Sequence, residues 1–239
     1  MTFQQGELAC GTRTVPYTVR LSRRARWMSL SIRPDTGLVV IAPVGAGPSH
    51  AEAFVRRHQR WVLRHIDRLE ALAARIPKRW PYGLTLPYLG TECCVVIEPS
   101  VGPRSAVELS GGTLRIRPRR PTVDGARRLL KRWYYEEAAL RCADRARQLG
   151  SRLGIQWRRI RIGDQRSRWG SCSPTGNLSF NYRLVMAPPA VLEYVVLHEL
   201  LHRVEMRHSA RFWSLVAAHC PTYRESIAWL KTYGPYLAV

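Results

Sequence analysis

The sequence predicts an α+β protein: a β-rich first half with one helix, followed by a second half organised around a buried helix with an H-E-x-x-H pattern at His198, Glu199 and His202. Three observations carry this. Up to about residue 117, short apolar or alternating runs are punctuated by Gly and Pro, as strands are. From about residue 123 the apolar period becomes that of a helix. A hydrophobic content of 46% over 239 residues is ample for a packed core. The polar, proline-containing stretch 119–124 is the expected boundary, giving a β-rich region 1–120 and a second region 121–239.

In chain order, 15–20, 29–33 and 38–42 read as strands, with Asp35, Thr36 and Gly37 turning a hairpin between the last two. Pro48 and Ser49 open a helix to about residue 76, with Phe54, Trp61, Val62, Ile66, Leu69 and Leu72 on its apolar face and Pro77 after it. His50, His58 and His65 on this helix have no acid or cysteine at ligand spacing, so they read as surface or boundary residues. Short strands follow at 88–90, 93–98, 107–110 and 113–117, the last two joined by Gly111-Gly112. A helix over 123–149 carries Leu129, Leu130, Trp133, Leu140, Ala143 and Leu149 on one face, with Gly150 as its stop. Strands at 160–162 and 177–183 flank a turn at Trp169 to Cys172 and lead into the H-E-x-x-H helix; helices at 210–220 and 225–233 close the chain.

The chemistry lies in 191–213. Side chains four apart share a helix face, so His198 and His202 can offer two imidazoles to one metal ion. Glu199 is offset around the helix and can reach a water without being a ligand. A catalytic zinc takes three protein ligands and leaves a position open. His208 is the candidate third donor because 203–207 allow the helix to end and turn back, and Glu205, on the helix itself, is the competing one. Val191, Val195, Val196, Leu197, Leu200 and Leu201 make the helix apolar over most of its circumference, so it is expected to be buried and its polar residues to need a common partner.

The segment 166–213 resembles the YgjP-like metallopeptidases, relatives of the SprT-like proteases in the zincin group. The likeness rests on Arg168-Trp169-Gly170-Ser171-Cys172, Asn181, Arg183-Leu184, the proline before the helix, His198-Glu199 with His202, and His208 followed by Phe212-Trp213. Weaker similarity takes in 22–26, Phe54-Val55 with Trp61, and Pro87 to Gly90. The resemblance implies a zincin-like catalytic domain, one zinc on His198, His202 and His208, Glu199 as general base, and a strand edge near 168–173 that pairs with an extended peptide. Arg168, Trp169 and Ser171 are then candidate substrate contacts.

Six cysteines without a C-x-x-C pair argue against a zinc ribbon and fit reduced thiols in a cytoplasm, and Cys172 reads as a small residue packed in a strand or as a reactive thiol. The opening residues carry no apolar signal-peptide core, and no apolar run is long enough to span a bilayer, so no membrane partner is expected. Lys and Arg number 38 against 17 acids, a net charge of +21. That excess fits either diffuse arginine on a solvated surface or attraction to nucleic acid or nucleotide, and 117–132 is its densest run. The expected function is a zinc metallopeptidase acting on peptide or protein. The alternatives are a metal-dependent nucleoside triphosphate pyrophosphatase on the same site and, less favoured, a DNA-associated protein with a structural metal.

Overall fold

The computed structural model describes residues 3–10, 13–34, 36–73, 85–100, 105–120 and 122–237. The chain divides into two compact units, Met1–Pro77 and Lys78–Val239. The change of hydrophobic period at 119–124 falls inside the second unit, because the strands before it and the helix after it share one core.

In the first unit, β1 (Phe3–Cys10), β2 (Arg13–Ser22), β3 (Ser29–Arg33) and β4 (Gly37–Pro43) form a sheet in the order β1-β2-β4-β3. The central pair is parallel and the outer pairs are antiparallel. Period-2 alternation turns Val15, Tyr17 and Val19 of β2 and Leu38, Val40 and Ala42 of β4 inward, where they share a core with Ala51 and Val55 of α1 (Pro48–Arg57) and Val62 of α2 (Gln59–Ala73). β1 escapes a sequence reading because it lacks that alternation, although its Leu8 is buried. The single helix expected from residue 48 is two. It breaks at His58, whose backbone leaves helical geometry at φ −101° and ψ 13°, and whose Nδ1 donates to the Phe54 carbonyl at 2.8 Å. Asp35 of the expected hairpin turn and the expected helix end at 74–77 lie outside the described residues.

The second unit begins with β5 (Thr85–Tyr88), β6 (Thr91–Ile97), β7 (Ala106–Ser110) and β8 (Thr113–Arg117), ordered β5-β6-β8-β7. Helix α3 (Val123–Leu153) follows, capped by the Thr122 hydroxyl, which accepts from Gly125 N–H at 3.0 Å. It runs past Gly150, the expected stop, and ends at Gly154, whose φ of 66° gives the left-handed cap. Gly150 stays helical and buried, in contact with the Ile155 carbonyl and the Trp157 ring. A second sheet, β10-β11-β9, is built from β9 (Arg159–Gly163), β10 (Gly170–Cys172) and β11 (Asn177–Asn181). A 3₁₀ turn, Tyr182–Met186, leads to α4 (Pro189–Leu201), α5 (Ala210–His219) and α6 (Tyr223–Tyr233). The small residues Ala138, Cys142 and Ala146 form a fully buried stripe on α3, which packs against α4. The architecture is mixed α and β, strand-rich first and helical towards the end.

Candidate metal centre and cleft

Helix α4 starts at Pro188 and Pro189, where a missing N–H leaves no ladder bond unmade. Leu192, Val195, Val196, Leu197, Leu200 and Leu201 are all buried, so the helix is held from every side. Its last turn carries His198 and Glu199, and His202 is the residue that closes it. The chain then turns through backbone bonds from Arg203, Val204 and Glu205 to the carbonyls of Leu200 and Leu201. Ser209 caps α5, accepting from Phe212 N–H at 3.2 Å, and this reversal returns His208 to the end of α4.

One ligand nitrogen from each of His198, His202 and His208 lies within 4.8 Å of the others, and His208 Nε2 is 3.0 Å from His198 Nε2. The backbone settles one tautomer: His202 Nδ1 is 3.1 Å from the Glu205 carbonyl, which only accepts, so that nitrogen carries the proton and Nε2 keeps its lone pair. Glu205, the competing ligand, thus contributes its carbonyl to the site's support, while its carboxylate accepts from Arg207 N–H. His198 Nδ1 is paired with the Tyr194 hydroxyl at 3.4 Å. Phe212, fully buried, floors the cluster with ring centroids 4.9, 4.6 and 5.0 Å from His198, His202 and His208. Trp213 stacks on His208 at 5.7 Å.

Burial, and then the neighbouring His202 and His208, bring the His198 pKa down to about 3; burial also lowers that of His202. Both are therefore neutral at ordinary pH. Glu199 is 5% exposed, and burial pushes its carboxyl up to about 8, with the Arg168 charge acting in the opposite direction. Its carboxyl lies against Gly170 of β10: a Cβ at that position would fall 2.6 Å from Glu199 Cγ and Oε1, so only glycine leaves the carboxyl its place.

A cleft of about 380 Å³ opens over His198 and Glu199. Arg168, Trp169 and Gly170 form one wall, Ile227, Leu230 and Lys231 of α6 the other, with Tyr194 and Val195 between them. Trp169 is also a packing residue, its ring against Gly234. Ser171 is not among the cleft-lining residues; it lies in β10 opposite Ser179. Cys172 donates to the Ser173 carbonyl at 3.4 Å, and burial, then the Glu199 charge, raises its thiol pKa. Asn181, buried, ties down the loop before β10: Nδ2 donates to the Gln165 carbonyl at 2.6 Å and the Arg168 carbonyl at 3.4 Å, and its own N–H donates to the Trp169 carbonyl at 2.8 Å.

Sequence reasoning missed Tyr194 and the α6 wall. Tyr194 had a signal, one helical turn before His198 on the same face; Lys231 had none, since nothing in the sequence brings α6 to α4. The basic run 117–132 also looks different in the structure. Arg117 is held by Glu98 and Glu108, Lys131 by Asp164 and Arg132 by Glu136, acids that are mostly distant in sequence. His219 sits at the C-terminal end of α5, outside the imidazole cluster. Among the described residues, no helix is long and apolar enough to cross a membrane.

Comparison with curated proteins and with solved structures gave no significant match. The family model described as YgjP-like, metallopeptidase domain, matches residues 26–233, which includes the three imidazoles, Glu199 and both cleft walls; the chain belongs to the YgjP-like metallopeptidase family.

Proposed function

We propose that the protein is a zinc-dependent peptidase with His198, His202 and His208 as ligands and Glu199 as general base. The observation that carries this reading is the meeting of three imidazoles and one buried carboxyl at the floor of an open cleft. The donor set fits the ion. Neutral imidazole suits zinc, and three protein donors leave a coordination position for substrate or water. A structural ion would be enclosed by a fourth protein donor, and the group found among the described residues has three.

A zinc ion bound there supplies Lewis acidity, polarising a peptide carbonyl and bringing the acidity of water to near neutrality. The chain's own residues supply the rest. In its ionised form, which the Arg168 charge favours, Glu199 takes a proton from water onto a carboxylate oxygen and returns it to the departing amine nitrogen. Gly170 leaves the carboxyl room and β10 backs it. Tyr194 and the Glu205 carbonyl hold the Nδ1 sides of His198 and His202, and for His202 that leaves the Nε2 lone pair free for an ion. β10, at one edge of its sheet, offers main-chain groups from Gly170 to Cys172, Ser171 included, to an extended peptide, while Arg168 and Trp169 contact its side chains.

Replacing Glu199 by Gln conserves size and leaves the imidazoles intact. The expected result is unchanged zinc content with peptide hydrolysis reduced about 10²- to 10⁴-fold. Full activity in Glu199→Gln would remove it as the base, and loss of zinc would make it a ligand. Nucleoside triphosphate hydrolysis that dies in Glu199→Gln, with peptides untouched by the wild type, would keep the site and replace the peptidase reading by the pyrophosphatase one.

A further inference from the structure

We propose that the cleft selects substrates with a carboxylate next to the bond to be cut, received jointly by Arg168 and Lys231; this specificity rests on the peptidase reading above. The two cations reach the cleft from different elements, Arg168 from the loop before β10 and Lys231 from α6. Among the described residues, the only acid lining the cleft is Glu199, which is buried. Both cations are exposed, and among the described residues neither has an ion pair, whereas Arg183 and Lys131, which flank the base of the same loop, are both held by Asp164. The cleft thus carries two positive charges with no ion-pair partner among the described residues.

Its surroundings make those charges effective. Val195, Ile227 and Leu230 line the space with hydrocarbon, and a charge pair beside low-dielectric walls interacts more strongly than one in bulk water. Arg168 sits on a loop held at three backbone positions by buried Asn181, so little backbone ordering remains to be done on binding. A guanidinium on a fixed backbone presents a planar fork that matches a carboxylate, and the ammonium of Lys231 adds a second donor from α6. The Arg168 charge is felt at Glu199, so an anion seated on Arg168 lies close to the reacting groups.

A carboxylate comes from two sources in a peptide, an Asp or Glu side chain or the C-terminus. Three peptides of one length separate them: internal Glu with an amidated end, internal Gln with an amidated end, and internal Gln with a free end. Cleavage is measured with the zinc-loaded full chain, and binding by fluorescence anisotropy with the Glu199→Gln protein at physiological salt. A carboxylate-bearing peptide should be bound and cut at least about tenfold better than the Gln amide. Preference for the Glu amide identifies a side-chain subsite; preference for the free end identifies removal of C-terminal residues. The preference should vanish in Arg168→Met and Lys231→Met and persist in Arg152→Met, which removes one exposed charge from the end of α3. Equal binding of all three peptides overturns the proposal, as does a preference that survives both cleft variants or is lost equally in Arg152→Met. Binding preference without cleavage keeps the subsite and removes the peptidase reading, whereas cleavage without preference does the reverse.

Discussion

The two four-stranded sheets are built on one plan, β1-β2-β4-β3 in the first unit and β5-β6-β8-β7 in the second, each with a parallel central pair, antiparallel flanks and a helix after the last strand. What differs is the helix. In the first unit it breaks after 10 residues, at His58. In the second it runs unbroken for 31 and packs on α4, which carries His198, and on the 3₁₀ turn before it, where Tyr135 stacks on Tyr182. Histidines follow the same division. His58 and His65 bond to carbonyls of their own helix and lie against Phe54 and Trp61, whereas His198, His202 and His208 turn towards one another. A backbone carbonyl holds an imidazole in both units, Glu205 holding His202 in the second, but only there do three imidazoles converge among the described residues, on a segment that the longer helix supports.

The sharpest way to break that contrast is to remove imidazoles from each unit in turn. His198→Ala, His202→Ala and His208→Ala should each lose most of their zinc, read by metal analysis, while His58→Ala and His65→Ala stay stoichiometric. Zinc lost from a first-unit variant, or kept in His208→Ala, would end the division. Next in size is Gly170→Ala, whose methyl would displace the Glu199 carboxyl. A shift of about 1 Å at a reacting group costs up to about 10²-fold in rate, so peptide hydrolysis should fall by about that factor with metal content preserved. The packing of α3 is tested by Ala146→Leu, which overfills a fully buried position and should cost about 1–3 kcal/mol in denaturant unfolding. Leu140→Ala on the same helix, where the side chain is 52% exposed, should change stability by less than about 0.5 kcal/mol.

The smallest effect is a pH dependence. Burial alone would raise the Asp164 pKa, but hydrogen bonds from Lys131 and Arg183 outweigh it and hold the carboxyl below its usual 3.8. A depressed folded pKa contributes stability above the unfolded value that disappears as pH falls through the folded one. The melting temperature of Lys131→Met should therefore lie slightly below wild type at pH 7, by less than about 1 kcal/mol in stability, and the gap should close in strong acid.

The grouping of the three imidazoles was legible because they are neighbours in sequence: a four-residue spacing on an apolar helix brings two together, and a short turn returns the third. The strands with clear alternation, β2, β4 and β8, were legible for the same local reason. β1 was not, since antiparallel pairing with β2 rather than any pattern of its own makes it a strand. Nor was the break at His58, where the backbone leaves helical geometry with no Pro or Gly to mark it. The α6 wall of the cleft depends on tertiary packing, which leaves no periodic trace near Lys231.

The buried stripe on α3 has a kinetic consequence. Cys142, fully enclosed in that stripe, has its thiol pushed up to about 12 by burial, whereas Cys94 is exposed. The thiolate is the form that alkylating reagents attack, so Cys142 becomes labelled only when α3 separates from its neighbours, while Cys94 is open to reagent throughout. An ion that binds the closed protein alone makes such openings rarer in proportion to its saturation. The alkylation rate of one cysteine in the core thereby becomes a clock for occupancy at three histidines on another helix.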